Sequence, residues 1–195
     1  MVPNLITALT GPINELEQRM LDAMPAIERW FRLEWMEHTP PLYSSVDIRN
    51  AGFKVAPVDT NLFPGGWNNL TPEMVPLAVQ SAMAAIEKIC PEARNLLIIP
   101  ENQTRSPQYL ANLLQLQKIF AAAGLNVRIG SIDPEIKETV RLKVGSQELV
   151  IEPALRHGRR VGLKYFYPCT ILLNNDLSEG APGILEDVYE QFVLP

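Results

Sequence analysis

Three cationic side chains, Arg49, Lys54 and Arg105, stand beside short polar runs in this chain of 195 residues. Arginine presents a planar fork that fits a carboxylate through two hydrogen bonds, and lysine supplies a compact point charge. Together they suit a small molecule that carries carboxylates. The bland alternative is ordinary ion pairing of Arg49 with Asp47 and of Arg105 with Glu101, which is common and weak at surfaces. The polar runs are VDTN (58–61), ENQTR (101–105), SID (131–133) and NND (174–176), each at the end of an apolar segment. In SID, Asp133 before Pro134 reads as a turn or cap residue. ENQTR places five polar residues in succession where one cap would suffice, and NND follows Leu172-Leu173 with no turn residue between. Glu101, Asn102, Thr104, Arg105, Asn174, Asn175 and Asp176 are therefore candidates for a ligand-binding edge. Asp47, and Asp59 and Asn61 of VDTN, join them. So do Asn68 and Asn69, which follow the hinge Pro64-Gly65-Gly66. Trp67 reads equally as core or as the apolar wall of a pocket.

Other chemistries lack their residues. No G-x-x-x-x-G-K-[ST] or G-x-G-x-x-G phosphate fingerprint occurs, and no G-x-S-x-G elbow. His38 and His157 have no Cys or carboxylate partners at metal-ligand spacing, so neither a metal site nor a catalytic nucleophile is assigned. Cys90 and Cys169 form neither a disulfide framework nor a CxxC pair, and both are expected to be reduced and structural. The cationic run RHGRRVGLK (156–164) could take phosphate, but it reads more readily as a solvated loop.

The elements that must position the candidates follow from periodicity. Residues 12–37 carry Leu16, Met20, Met24, Ile27, Trp30 and Phe31 near one helical face, with a kink expected at Pro25 and with Trp30 and Trp35 expected in the core. SSVDIRN and FKVAPVD read as strands around a tight Ala51-Gly52 turn. Thr71 and Pro72 are a capping residue and a first helical residue for a helix that Pro91 stops. NLLIIP is a strand covered on both faces. Pro107 opens a helix that Gly124 ends, and LNVRIGS is the next strand. ETVRLKV and QELVIEP form a hairpin across Gly145-Ser146. TILLNND is another buried strand, with a helix expected from Pro182 to about Phe192. This alternation predicts an α/β fold, a mostly parallel doubly wound sheet with flanking helices and a β-hairpin.

With 47% hydrophobic residues the chain can bury a real core, and without a linker or repeat a single domain over 1–195 is expected. A net charge of −5 disfavours nucleic acid as a partner. The amino-terminal stretch has neither a signal peptide's basic region nor an unbroken apolar run, and no window is long enough for a membrane span, so a cytoplasmic protein is expected.

SVDIRNAGFKVAPVDTNLFPGGWNNL (45–70), IIPENQTR (98–105) and ILLNNDLS (171–178) resemble the proteobacterial glutamate–cysteine ligases of the ATP-grasp type. The likeness covers the amino-terminal part of that family, whose members are about twice as long. It implies a Rossmann-like lobe preceding the ATP-grasp lobes and ATP-dependent ligation of L-glutamate to L-cysteine through a γ-glutamyl acyl phosphate, the first step of glutathione biosynthesis. It also implies ATP and Mg²⁺ held mainly by residues beyond this chain, and glutamate, cysteine and ATP as small-molecule partners. Under the resemblance Arg49, Lys54 and Arg105 meet substrate carboxylates, while Asp59, Asn61, Asn68 and Asn69 position the amino group and backbone. Glu101, Asn102, Asn174 and Asp176 complete the wall. The alternative is an amino-acid-binding module without turnover.

Overall fold

The computed structural model describes residues 9–38, 40–102, 106–175, 180, 182–189 and 191–194. The chain divides into two compact units, 1–62 and 63–195. The boundary falls inside the polar stretch that the sequence reads as continuous.

The first unit consists of β1 (Leu9–Thr10), α1 (Ile13–Glu37), β2 (Ser45–Asn50) and β3 (Lys54–Asn61). Its three strands are antiparallel in the order β1-β3-β2. The expected tight turn is present. Asn50 Oδ1 accepts the Gly52 N–H at 2.8 Å, and Gly52 adopts φ 85°, a conformation open to glycine and costly for other residues. Pro57 within β3 cannot donate to the ladder, and it faces Ile48 where the register shifts after Asp47. α1 runs unbroken through Pro25. Trp30 and Trp35 are 46% and 52% exposed, so the expected core placement is corrected. Phe31 packs on both indoles, with ring centroids 5.0 and 5.7 Å away, and with Trp35 it shares the i, i+4 spacing that places two side chains on one helical stripe.

The second unit is built on a mixed sheet of six strands in the order β11-β10-β4-β5-β7-β6. These are β4 (Asn95–Pro100), β5 (Asn126–Ser131), β6 (Val140–Val144), β7 (Gln147–Pro153), β10 (Thr170–Asn174) and β11 (Phe192–Leu194). All pairings are parallel except β6 with β7. NLLIIP and TILLN are the two neighbouring central strands, with Leu96 to Ile99 and Ile171 to Leu172 completely buried. That explains their unbroken apolar sequence. Helix α2 (Val75–Ile89) packs on α3 (Pro107–Ala122), which packs on β5. Leu97, Ile99, Ile171 and Leu173 point the other way, into a cluster with Val161, Leu163 and Phe166. This cluster belongs to the small hairpin of β8 (Leu155–His157) and β9 (Arg160–Gly162) and the segment after it.

Three local expectations change. α2 begins at Val75 instead of Pro72, because Thr71 O takes the N–H groups of both Met74 and Val75 in a preceding turn. The expected helix over 182–192 is a 3₁₀ turn at Gly183–Leu185 and then β11, whose Phe-Val-Leu run adds in parallel to the edge of β10. The cationic run, expected as a solvated loop, forms the β8–β9 hairpin, in which residues 157–160 are exposed while Val161, Gly162 and the following Leu163 are buried. Arg156 fastens it by donating to the carbonyl oxygens of Gly158, Ile184, Glu186 and Asp187 at 2.6 to 3.1 Å, which also uses the guanidinium that phosphate would need. Among the described residues no helix is long and apolar enough to cross a membrane.

Candidate functional site at the carboxyl ends of the parallel strands

The chain leaves β4 and returns as β5 on one side, then comes back as β10 on the other. Neighbouring strands whose connections run in opposite directions leave a crevice outside their carboxyl ends, where α/β sheets bind ligands. β4 ends there in Pro100, Glu101 and Asn102, and β10 ends in Asn174 and Asn175. Tyr109, in the first turn of α3, joins them. Its hydroxyl accepts the Glu101 N–H at 2.7 Å and turns its own proton toward Asn174, with the carbonyl oxygen at 3.1 Å and Oδ1 at 3.3 Å. Asn175 Nδ2 donates to Pro100 O at 3.1 Å, a second link between the two strand ends. Ser106 caps α3 by accepting the Tyr109 N–H, which fixes the residue that carries the hydroxyl.

The hinge segment is tied to the same place. Pro64 O accepts from Asn174 Nδ2 at 3.2 Å and from Trp67 Nε1 at 3.1 Å, while the Trp67 N–H donates to Asn112 Oδ1 at 2.9 Å. Gly66 lies at φ 82°, the left-handed turn that a hinge of this kind needs. Trp67 is half-buried, and Asn68 and Asn69 are exposed and joined by a side-chain hydrogen bond of 3.2 Å.

Asn174, Asn175 and Asn112 are buried polar side chains, and such groups are costly unless hydrogen-bonded. Among the described residues, two buried side-chain atoms have no protein partner: Asn102 Oδ1 and Asn112 Nδ2. Pro100, Glu101, Asn102, Tyr109 and Ser131 line a cavity of about 10 Å³, roughly the room one water requires. From Ser131 the rim continues into an open cleft of about 460 Å³ over the ends of β5 and β7, which contains Asp133, Lys137, Pro153 and Leu155. That volume is typical of small-molecule sites. The ordinary turn reading of SID holds locally, since Asp133 Oδ1 accepts the Glu135 N–H at 2.9 Å. The same residues nevertheless border the larger cleft.

Of the sequence candidates, Trp67, Glu101, Asn102, Asn174 and Asn175 converge at this rim, with Asn68 and Asn69 on the attached turn. Asp47, Arg49, Lys54, Asp59 and Asn61 lie on β2 and β3 of the first unit. β3 is thus not a central strand of the parallel sheet, and the expectation that VDTN ends on the same sheet edge is corrected. Its alternation of apolar and polar residues belongs to an antiparallel hairpin. In that hairpin Asp47 sits directly opposite Asp59. Thr104, Arg105 and Asp176 lie outside the described residues. The sequence reading missed Tyr109 and Asn112. The signal for Asn112 is an amide one helical turn before Leu116 in a stretch where Leu110, Leu113, Leu114 and Leu116 are all buried.

Residues 17–195 match the family model described as GshA, glutamate-cysteine ligase. The chain belongs to the glutamate-cysteine ligase family. It is also similar to a crystal structure from Methylobacillus flagellatus KT that bears the provisional name gamma-glutamylcysteine synthetase. Identity is 57% and the TM-score 0.86 over 100% of this chain. The match covers 46% of that longer chain, so this chain spans a little under half its length. No curated protein matches. Among the described residues of this ligase-family chain, no three His, Cys, Asp or Glu side chains gather as a metal site would require.

Proposed function

We propose that this chain supplies the substrate-binding part of an ATP-dependent glutamate–cysteine ligase. The sheet is read as the doubly wound, Rossmann-like lobe that precedes the ATP-grasp lobes. In this reading the γ-carboxylate of L-glutamate is activated as an acyl phosphate, and the amine of L-cysteine displaces the phosphate to give γ-glutamylcysteine. The observation that carries the proposal is a hydrogen-bonded junction of Glu101, Tyr109 and Asn174 at the crevice between β4 and β10, in a chain matching this family over residues 17–195.

The work assigned to these residues is positioning, which can supply much of the rate of a ligation because the reactants are held in contact. The fixed amides of Asn102, Asn174 and Asn175 orient an amino acid, and Trp67 excludes water on one side. The open cleft beyond Ser131 carries Lys137 and Asp133, one of each charge, as a zwitterion would require. Arg49, Lys54, Arg105, Asp59 and Asn61 are proposed to add contacts to substrate carboxylate and amino groups. ATP and Mg²⁺ are proposed as co-substrate and cofactor, bound by residues other than those described, and the setting as cytoplasmic.

The test is a coupled assay of ADP release with L-glutamate, L-cysteine, ATP and Mg²⁺, omitting each in turn. Release only when all are present supports the ligase. Calorimetric binding of glutamate without ADP release supports instead an amino-acid-binding module, and absence of both contradicts the assignment.

A further inference from the structure

The small cavity behind the strand ends and the open cleft beyond it share two lining residues, Ser131 and Ile136, so the recess has a narrow inner end and a wide mouth. The inner end, about 10 Å³, has room for one group the size of a water molecule. Its polar lining is rich in acceptors. Asn102 Oδ1 is buried and has no protein partner among the described residues. Ser131 is 5% exposed; its Oγ accepts the Asp133 N–H at 3.2 Å and keeps a second lone pair. Glu101 adds a carboxylate, while Tyr109 commits its proton to Asn174. A buried acceptor costs free energy until a donor reaches it. The group that brings only donors, carries the charge that suits Glu101 and is no larger than water is an ammonium.

We propose that this cavity seats the α-ammonium group of L-glutamate, with Asn102 Oδ1, Ser131 Oγ and the Glu101 carboxylate as its acceptors.

A water molecule fits the same space, but the carboxylate favours a cation, and a hydrogen bond assisted by charge is about twice as strong as a neutral one. The identity of the amino acid rests on the ligase reading. That reaction involves two amino groups with opposite needs. The amine of cysteine has to lose a proton and aim its lone pair at the acyl phosphate, which a closed pocket of acceptors would prevent. The amino group of glutamate takes no part in the bond that forms, and acceptors around it hold it as –NH₃⁺. The inner end therefore suits glutamate. The remainder of the molecule then extends past Ser131 into the cleft of about 460 Å³, where Lys137 offers a positive charge to a carboxylate and Ile132, Ile136 and Leu155 offer apolar surface to the methylene groups.

The test is calorimetric titration of the whole chain with L-glutamate and with glutarate, which has the same skeleton without the amino group. The parent should bind L-glutamate at least about tenfold more tightly than glutarate, the factor expected for a hydrogen bond to a charged group. Asn102→Leu should lose that preference through weaker L-glutamate binding, with glutarate affinity unchanged. Asn102→Asp keeps an acceptor and should retain the preference. Equal affinity of the parent for the two ligands, as a cavity that holds only water would give, would overturn the ammonium pocket and leave the ligase reading standing. So would an equal loss of both ligands in Asn102→Leu, or an Asn102→Asp variant as weak as Asn102→Leu. No binding of either ligand to the parent would overturn both the pocket and the reading on which it rests. The comparison of ligands in the parent needs no variant, so the test holds even if Asn102→Leu folds poorly.

Discussion

Tyr109→Phe removes one oxygen atom and leaves the ring, so it isolates the hydroxyl that links β4 to β10. That hydroxyl accepts the Glu101 N–H at 2.7 Å and donates to Asn174, in a partly buried setting. Leaving a buried donor without its acceptor costs about 1–3 kcal/mol, and partial burial places this case at about 1–2 kcal/mol. For a chain of this size that corresponds to a fall in Tm of about 2–8 °C. The assay is urea unfolding followed by circular dichroism, with the loss read from the midpoint at unchanged slope. Tyr189→Phe is the control. Its exposed hydroxyl bonds only Asp187 Oδ1 among the described contacts, and the expected change is within about 0.5 kcal/mol. A Tyr109→Phe loss no larger than the control's would refute the reasoning, because the strand ends would then be held without the hydroxyl.

Further outcomes follow from other contacts. Arg128→Ala should destabilise the chain by about 1–3 kcal/mol in the same assay, because it leaves the largely buried Glu152 carboxylate without the two-fold pairing it makes across β5 and β7. The guanidinium also lies 5.0 Å from the Phe166 ring centre, so Arg128→Lys should recover only part of the loss. Gly162→Ala should cost at least about 2 kcal/mol, or prevent soluble expression, since a Cβ there would stand 2.4 Å from the Phe166 carbonyl oxygen. Asp59→Asn should raise the thermal midpoint of unfolding slightly, by the equivalent of about 0.2–1 kcal/mol, as it removes like charges facing each other across β2 and β3.

The central strands were legible because burial on both faces leaves a signature no other element shares: NLLIIP and TILLN are unbroken apolar runs closed by polar residues. The β6–β7 hairpin was legible from its two-residue period and Gly145, which adopts φ 62°. What escaped was what depends on neighbours. Phe192 to Leu194 carry no pattern that marks a strand, and they become one because β10 offers an edge. β2 and β3 look locally like the other strands, and only their pairing with each other sets them in an antiparallel sheet. The same holds for the site. Runs of Asn and Asp at strand ends pointed to Glu101, Asn102, Asn174 and Asn175, whereas Tyr109 takes its role from a hydroxyl reaching across to residues 8 and 65 positions away.

The central claim is that the crevice between the carboxyl ends of β4 and β10 receives the amino-acid substrate. Amide hydrogen exchange of the whole chain with and without saturating L-glutamate tests it most directly. Slower exchange is expected at residues 98–102 and 171–175, where the strand ends and their buried amides would be held by the ligand. Protection confined to β1, β2 and β3, or unchanged exchange at every glutamate concentration, would contradict the account.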